Sequence, residues 1–94
     1  MDKRIYLINL YDYYGELLTE KQRSYFEDYY FNNYSLAEIS ENNDISRNAI
    51  YKQIKDAEKK LNYYESVLKL YDKSLKIKKL IKDLDVRDKI EELI

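Results

Sequence analysis

The fold is decided by residues 35–55, whose sequence is SLAEISENNDISRNAIYKQIK. The stretch opens with a capping box, in which Ser35 caps a helix and Glu38, three residues on, reaches back to it. About two turns later the polar run 42–44 interrupts the helical pattern, and Ser46 caps a second helix. A short helix, a tight turn and a second helix have the spacing of a helix-turn-helix.

In that motif the second helix presents the side chains of its first turns to the major groove of a duplex. Arginine can pair with guanine and asparagine with adenine, whereas lysine acts on phosphate as a point charge. The candidate nucleic-acid-binding residues lie at the start of this helix: Arg47, Asn48, Tyr51, Lys52, Lys55 and Lys59. Many helical corners are purely structural, so Tyr51, Lys52 and Lys55 could equally form a solvated face.

The turn of the motif departs from the usual pattern at Asp44, where glycine is common. Aspartate can still adopt the left-handed conformation that the turn requires. Its carboxylate adds a negative charge near any bound phosphate. Arg47 could also pair with Asp44 or Glu41 across the turn, which would give it a structural role only.

Helical spacing also accounts for the residues before the motif. Apolar residues from Leu7 to Tyr14 follow an i, i+3, i+4, i+7 pattern, and Gly15 offers a stop. A capping box at Thr19 starts a helix with a broad aromatic face, and 32–33 end it. Since no segment alternates strictly, the sequence predicts an all-α protein.

The remainder predicts one long helix, because no helix breaker occurs from 47 to 84 and a helix of that length spans roughly 55 Å. Apolar residues recur every three or four positions as in a coiled coil. The predicted dimerisation residues are Leu61, Tyr64, Leu68, Tyr71 and Leu75. A kink or a fold-back near 62–63 is the alternative to a continuous helix. A last short helix is predicted from Asp85 onward.

Composition excludes most site chemistry. The 94 residues contain no His and no Cys, which removes zinc ligand sets, thiol nucleophiles and imidazole bases. Adjacent carboxylates such as Glu91 and Glu92 diverge on a helix, so we expect no enzyme, no metal site and no cofactor. No apolar run approaches the ~18 residues of a membrane span, and no signal peptide is recognisable, so we expect a cytoplasmic protein without membrane insertion.

Charge is distributed unevenly along the chain. The formal net charge is -1, yet residues 1–45 carry four basic and nine acidic side chains. Residues 46–82 carry 11 basic and four acidic side chains. A nucleic acid would therefore approach the second region only.

Two resemblances follow from these residues. Residues 35–40 and 45–50, with Ala57 and Leu61, resemble the -35-element-binding region of sigma factors. Over nearly its full length the chain resembles the YlxM-like helix-turn-helix proteins, through the segments 18–22, 34–39 and 45–51 and the tyrosines at 25, 29 and 30. Members of that family are described as regulators of the signal recognition particle pathway, so the resemblance implies such a role.

The sequence thus predicts a small helical bundle that forms one domain. A head, 1–61, contains the helix-turn-helix at 35–55, and a helical tail, 62–94, mediates dimerisation. The first functional hypothesis is a regulatory protein that binds DNA or the signal recognition particle RNA. The alternative is a protein-interaction module that binds a signal recognition particle protein, with the helix-turn-helix as scaffold only.

Overall fold

The computed structural model describes residues 2–82 and 91–93. Every regular element in these ranges is helical and none is a strand, which confirms the all-α prediction for the described residues. A short 3-10 turn at Gly15–Leu17 joins the first two helices. The helices are α1 (Lys3–Tyr14), α2 (Glu20–Tyr30), α3 (Leu36–Asn43), α4 (Arg47–Leu68) and α5 (Leu70–Ile81).

The predicted start of α2 and the predicted end of α1 are both confirmed. At the start of α2 the Gln22 N–H donates to Thr19 Oγ1 at 3.2 Å, and the Thr19 N–H donates to Gln22 Oε1 at 3.1 Å. Helix α1 ends before Gly15, whose φ of -56° is open to any residue. Space favours glycine there, because a Cβ at Gly15 would lie 2.9 Å from the ring of Tyr11, which would have to shift.

Helix α4 is the centre of the core. It packs against α1, α2 and α3, and its inner side carries Ile50, Ile54, Ala57 and Leu61. Aromatic residues from α1 and α2 fill the space around it, among them Tyr14 and Phe26, both fully buried. The other buried apolar residues are Leu7, Leu10, Leu18, Tyr25, Tyr30, Ile39 and Tyr71.

The prediction of one continuous helix from 47 to 84 is wrong. Helix α4 ends at Leu68, Lys69 takes the left-handed conformation with φ 55°, and α5 begins at the next residue. The break lies beyond the alternative position at 62–63, which is regular helix. It is stabilised by partners outside the backbone ladder, because Tyr14 and Glu65 accept hydrogen bonds from the first N–H groups of α5.

This break changes the surroundings of the predicted dimerisation residues. Leu61 is 0% exposed and Tyr71 is 8% exposed, both within a single chain, and Tyr64 packs against the same core. Leu68 and Leu75 remain 42% and 45% exposed. The expectation that one chain cannot bury this stripe is therefore wrong for Leu61 and Tyr71.

Two further expectations concern the tail. The expected boundary at 61/62 lies inside α4, and α5 packs back against α1. The predicted last helix, from 85 onward, lies outside the described residues except for 91–93, which are helical.

Candidate nucleic-acid interface

The turn between α3 and α4 has the geometry that the motif requires. Asp44 adopts φ 53° and ψ 45°, the left-handed conformation predicted for this position. The Ile45 N–H donates to Ser40 O at 3.2 Å, and the Ser40 hydroxyl donates to Ile45 O. These paired bonds close the turn, so the direction in which α4 leaves it is fixed.

A buried apolar contact holds the two helices of the motif together. Ile39 of α3 and Ile50 of α4 are both fully buried, and Ile54 is nearly so. The Ala49 N–H donates to Ser46 Oγ at 3.2 Å, which confirms Ser46 as the N-cap of α4. With this side of α4 turned inward, the residues between these positions face solvent.

The outer side of α4 carries the predicted binding residues. Five of the six are exposed, namely Arg47, Asn48, Tyr51, Lys52 and Lys59. They lie on neighbouring rows of a single helix face, as their spacing of three and four residues requires. The structure therefore brings them together.

Lys55, the sixth residue, is partly engaged within the chain. Its Nζ lies 3.3 Å from Glu58 Oε1 and 5.4 Å from the centroid of the Tyr51 ring. The hydrogen bond to Glu58 raises the pKa of Lys55 above its usual value. The positive charge of Lys55 is thus partly balanced by Glu58, so Lys55 is less available to a phosphate than Lys52 or Lys59.

Arg47 forms no hydrogen bond or ion pair with Asp44 or Glu41 in the described part of the chain. A structural role through such a pair is therefore not observed. The guanidinium at the first position of α4 is exposed and available to a ligand.

The two helix starts of the motif differ in their electrostatics. At the start of α3 the Glu38 carboxylate accepts from the Ser35 N–H at 3.1 Å, which places a negative charge there. The first turn of α4 contains no acidic residue. Backbone N–H groups attract anions at helix starts, so a phosphate is better accommodated at Ser46 than at Ser35.

Sequence reasoning missed the buried carboxylates that hold α4 in place. Glu58 accepts from the Tyr30 hydroxyl at 2.7 Å, and Glu65 accepts from the Tyr14 hydroxyl at 2.6 Å. Burial, and then the hydrogen bond to Glu58, raises the pKa of Tyr30. The available signal was their spacing: the two acidic residues lie seven apart, each beside the apolar stripe that continues to Leu61.

A second missed residue is Arg4, which joins α1 to the end of α2. Its Nη2 donates to Tyr29 O at 3.0 Å, to Tyr30 O at 2.9 Å and to Asn33 Oδ1 at 3.0 Å. The guanidinium also lies 4.9 Å from the centroid of the Tyr30 ring. No pattern in the sequence pairs an arginine at the fourth position with a helix end 25 residues away.

Within residues 2–82 and 91–93, no helix is long and apolar enough to cross a membrane. The same ranges contain no group of three or more side chains placed to hold a metal ion.

Two helices joined by a left-handed turn residue, the second with an exposed basic face, define a helix-turn-helix protein. A family model described as "Putative helix-turn-helix protein, YlxM / p13 like" matches residues 1–94. The chain belongs to this family, UPF0122, which confirms the resemblance inferred from the sequence. The family is described by its fold motif and not as a class of enzymes.

Curated relatives extend over most of the chain. A UPF0122 protein of Caldanaerobacter subterraneus subsp. tengcongensis is 48% identical over 83 residues, covering 88% of this chain and 71% of the relative. A UPF0122 protein of Oceanobacillus iheyensis is 48% identical over 84 residues, covering 89% and 80%. One from Fusobacterium nucleatum subsp. nucleatum is 39% identical over 97 aligned positions, covering 100% and 94%.

Proposed function

We propose that this protein is a cytoplasmic regulatory protein that binds nucleic acid through the outer face of α4 and acts in the signal recognition particle pathway. The observation that carries the proposal is the exposed group of Arg47, Asn48, Lys52 and Lys59 on one side of the helix that follows the turn. The pathway rests on the resemblance to the YlxM-like family.

The roles of the individual residues follow from their chemistry. Arg47 and Asn48 stand at the start of α4, where side chains reach base edges in a duplex. Lys52 and Lys59 lie farther along the same face and suit contact with phosphates. The likeness to the -35-binding region of sigma factors supports the same docking direction. The ligand is duplex DNA or the signal recognition particle RNA.

Self-association belongs to the same proposal. One helix-turn-helix offers a small footprint, and a specific duplex site generally engages two. Exposed apolar side chains are concentrated in the tail at Val67, Leu68, Leu70, Leu75 and Leu80. We propose that the tail, 62–94, joins two copies into a homodimer.

An alternative function is supported by the acidic character of residues 1–45, which carry nine acidic and four basic side chains. That surface repels phosphate and suits a basic protein partner, such as a protein of the signal recognition particle. In this version the helix-turn-helix is scaffold only.

Binding to the signal recognition particle RNA and to random duplex DNA, measured side by side over a salt series, tests the proposal. We expect Lys52→Ala to weaken every nucleic acid alike and to reduce the slope of log K against log salt by about one. We expect Arg47→Ala to cost on the order of 1–3 kcal/mol and to blur any sequence preference. Lys3→Ala removes one exposed positive charge from α1 and serves as the matched control.

If neither Arg47→Ala nor Lys52→Ala alters binding at low salt, α4 is not the interface. The protein-interaction alternative then applies, and the acidic surface of residues 1–45 is the place to search for a partner.

A further inference from the structure

The junction between α4 and α5 is a single residue in an unfavourable conformation. Lys69 is both the C-cap of α4 and the N-cap of α5, with φ 55° and ψ 31°. A left-handed conformation is strained for a residue with a side chain, and the Lys69 side chain makes no capping hydrogen bond that would offset the strain. The chain accepts this strain where a continuous helix would have none.

The break exchanges three backbone hydrogen bonds for three others. In a continuous helix the N–H groups of residues 70–72 would donate to carbonyls four residues back. Here Leu70 donates to Tyr14 Oη at 3.0 Å, while Tyr71 and Asp72 donate to the two oxygens of Glu65 at 3.2 and 3.0 Å. Each N–H has a partner in either arrangement, but only the bend gives the buried Glu65 carboxylate these two donors, so within one chain hydrogen bonding favours the bend.

The apolar pattern runs through the junction as though the helix did not break. Ile54, Leu61, Leu68 and Leu75 are spaced by seven residues; the first three lie in α4 and the last in α5. In the bent arrangement Leu68 and Leu75 are 42% and 45% exposed. A straightened helix would place all four on one stripe, the arrangement typical of helices that pair.

The bent arrangement is held chiefly by α1. Tyr71 packs edge-on against Tyr6 with 5.8 Å between the ring centroids, and it accepts a hydrogen bond from Asn9 Nδ2 at 3.2 Å. Tyr71 and Ser74 are the buried residues of α5. Straightening the helix would expose both, together with the surface of α1 that they cover.

We propose that Lys69 is a hinge, and that two copies of this chain dimerise by straightening α4 and α5 into one helix and exchanging α5. Each α5 then packs on α1 of the other copy and remakes the contacts of Tyr71 with Tyr6 and Asn9. This inference specifies the homodimer proposed above and rests on it.

The partner is a second copy for a structural reason. The surface that α5 fits is the face of α1 around Tyr6, Asn9 and Tyr13, and another copy presents that face unchanged. Exchange of an element between identical chains costs little when its packing is recovered, and here the contacts of α5 with α1 are remade in the dimer. The added gain is the paired stripe at Leu68 and Leu75.

Two substitutions at Lys69, which differ in backbone strain and in helix propensity, test the proposal. Lys69→Gly relieves the left-handed strain and disfavours a straight helix, so we expect the dimer dissociation constant to rise at least tenfold. Lys69→Ala removes the same charge but keeps both the strain and a high helix propensity, so we expect that constant to stay within about threefold of the wild-type value. Sedimentation of both variants and of the wild type measures the constant.

A distance measurement tests directly whether α4 and α5 form one straight helix in the dimer. The chain has no cysteine, so cysteines introduced at Lys59 and Lys79 can carry spin labels without other changes. A straight helix places these residues about 30 Å apart, and any bend shortens that distance. Doubly labelled chains diluted into unlabelled protein should show the long distance in the dimer and a shorter one in the monomer.

Each result bears on a different claim. A dimer that shows only the short distance, or that responds equally to both substitutions at Lys69, overturns the exchange while leaving the homodimer in place. A protein that stays monomeric at millimolar concentration overturns both. Neither result affects the proposal that α4 binds nucleic acid, which is measured separately.

Discussion

Two buried tyrosine–carboxylate pairs fix α4 on the rest of the molecule. Tyr30 and Glu58 join it to α2, and Tyr14 and Glu65 join it to α1. Each carboxylate also has a second function, because Glu58 holds Lys55 and Glu65 accepts from the first N–H groups of α5. Both pairs require the tyrosine to keep its proton as the donor.

This requirement predicts a loss of stability in alkaline solution. Burial, followed by the hydrogen bond to Glu65, raises the pKa of Tyr14 to about 12. In the unfolded chain a tyrosine loses its proton near pH 10. The contribution of Tyr14 is therefore complete below about pH 10 and is lost as the pH rises toward its folded-state pKa.

Urea denaturation between pH 9 and pH 12 measures this effect. We expect the free energy of unfolding of Tyr14→Phe to fall less steeply with pH than that of the wild type, by up to about 1.4 kcal/mol per pH unit. Tyr63→Phe, at an exposed position of α4, is the control and should follow the wild type. Parallel curves for all three proteins would contradict the assignment.

The helix-turn-helix depends on a turn residue that is unusual for its position. Asp44 holds a left-handed conformation with φ 53° and an exposed side chain. Its carboxylate lies in the turn before Arg47, so the same residue affects both the stability of the motif and the charge of the interface.

We expect Asp44→Gly to raise the free energy of unfolding by up to about 1 kcal/mol, because glycine adopts this conformation without strain. We expect Asp44→Val to lower it by about 1–3 kcal/mol, since a β-branched residue is strongly disfavoured there. Thermal denaturation of both variants measures the difference, with Glu41→Val in the last turn of α3 as the control for valine in a right-handed position.

Asp44→Gly should also strengthen nucleic-acid binding, since it removes a negative charge beside the proposed interface. An unchanged affinity at low salt would indicate that the turn lies away from the phosphates.

At the scale of the whole molecule, α1 is the helix that joins α2, α4 and α5. It contacts α2 through Arg4, α4 through Tyr14 and α5 through Asn9. The Arg4 guanidinium is the link to the end of α2, where three carbonyl or amide oxygens converge on one of its nitrogens.

We expect Arg4→Ala to lower the free energy of unfolding by about 2–3 kcal/mol, since hydrogen bonds to a charged donor are lost and backbone carbonyls lose their partner. Tm should fall by on the order of 10 °C. Lys3→Ala, which removes a neighbouring exposed charge, should leave Tm within a degree or two. A similar small change for Arg4→Ala would mean that water replaces the guanidinium at no cost.

Local signals predicted the parts of the fold that depend on local chemistry. The capping boxes at Thr19 and Ser35, the cap at Ser46 and the left-handed Asp44 all involve residues within a few positions of one another. The residues of the candidate site lie on one face for the same reason, since helical spacing alone decides it.

The long-range contacts could not be predicted in this way. The bend at Lys69 exists because Tyr14, 55 residues earlier, and Glu65 provide the acceptors that replace the backbone ladder. Local pattern favours a straight helix there, and tertiary contacts override it. The engagement of Lys55 by Glu58 depended similarly on the burial of a carboxylate, which helical spacing leaves undecided.

The central position of α4 also affects when the protein can fold during its synthesis. Helices α1, α2 and α3 all pack on α4, and the deepest of those contacts reach as far as Leu61. Before α4 has been synthesised, the aromatic side chains of residues 1–45 have only one another to pack against. The nascent chain therefore cannot bury Tyr14 and Phe26 completely until α4 emerges, and folding of this domain as a unit waits for that helix.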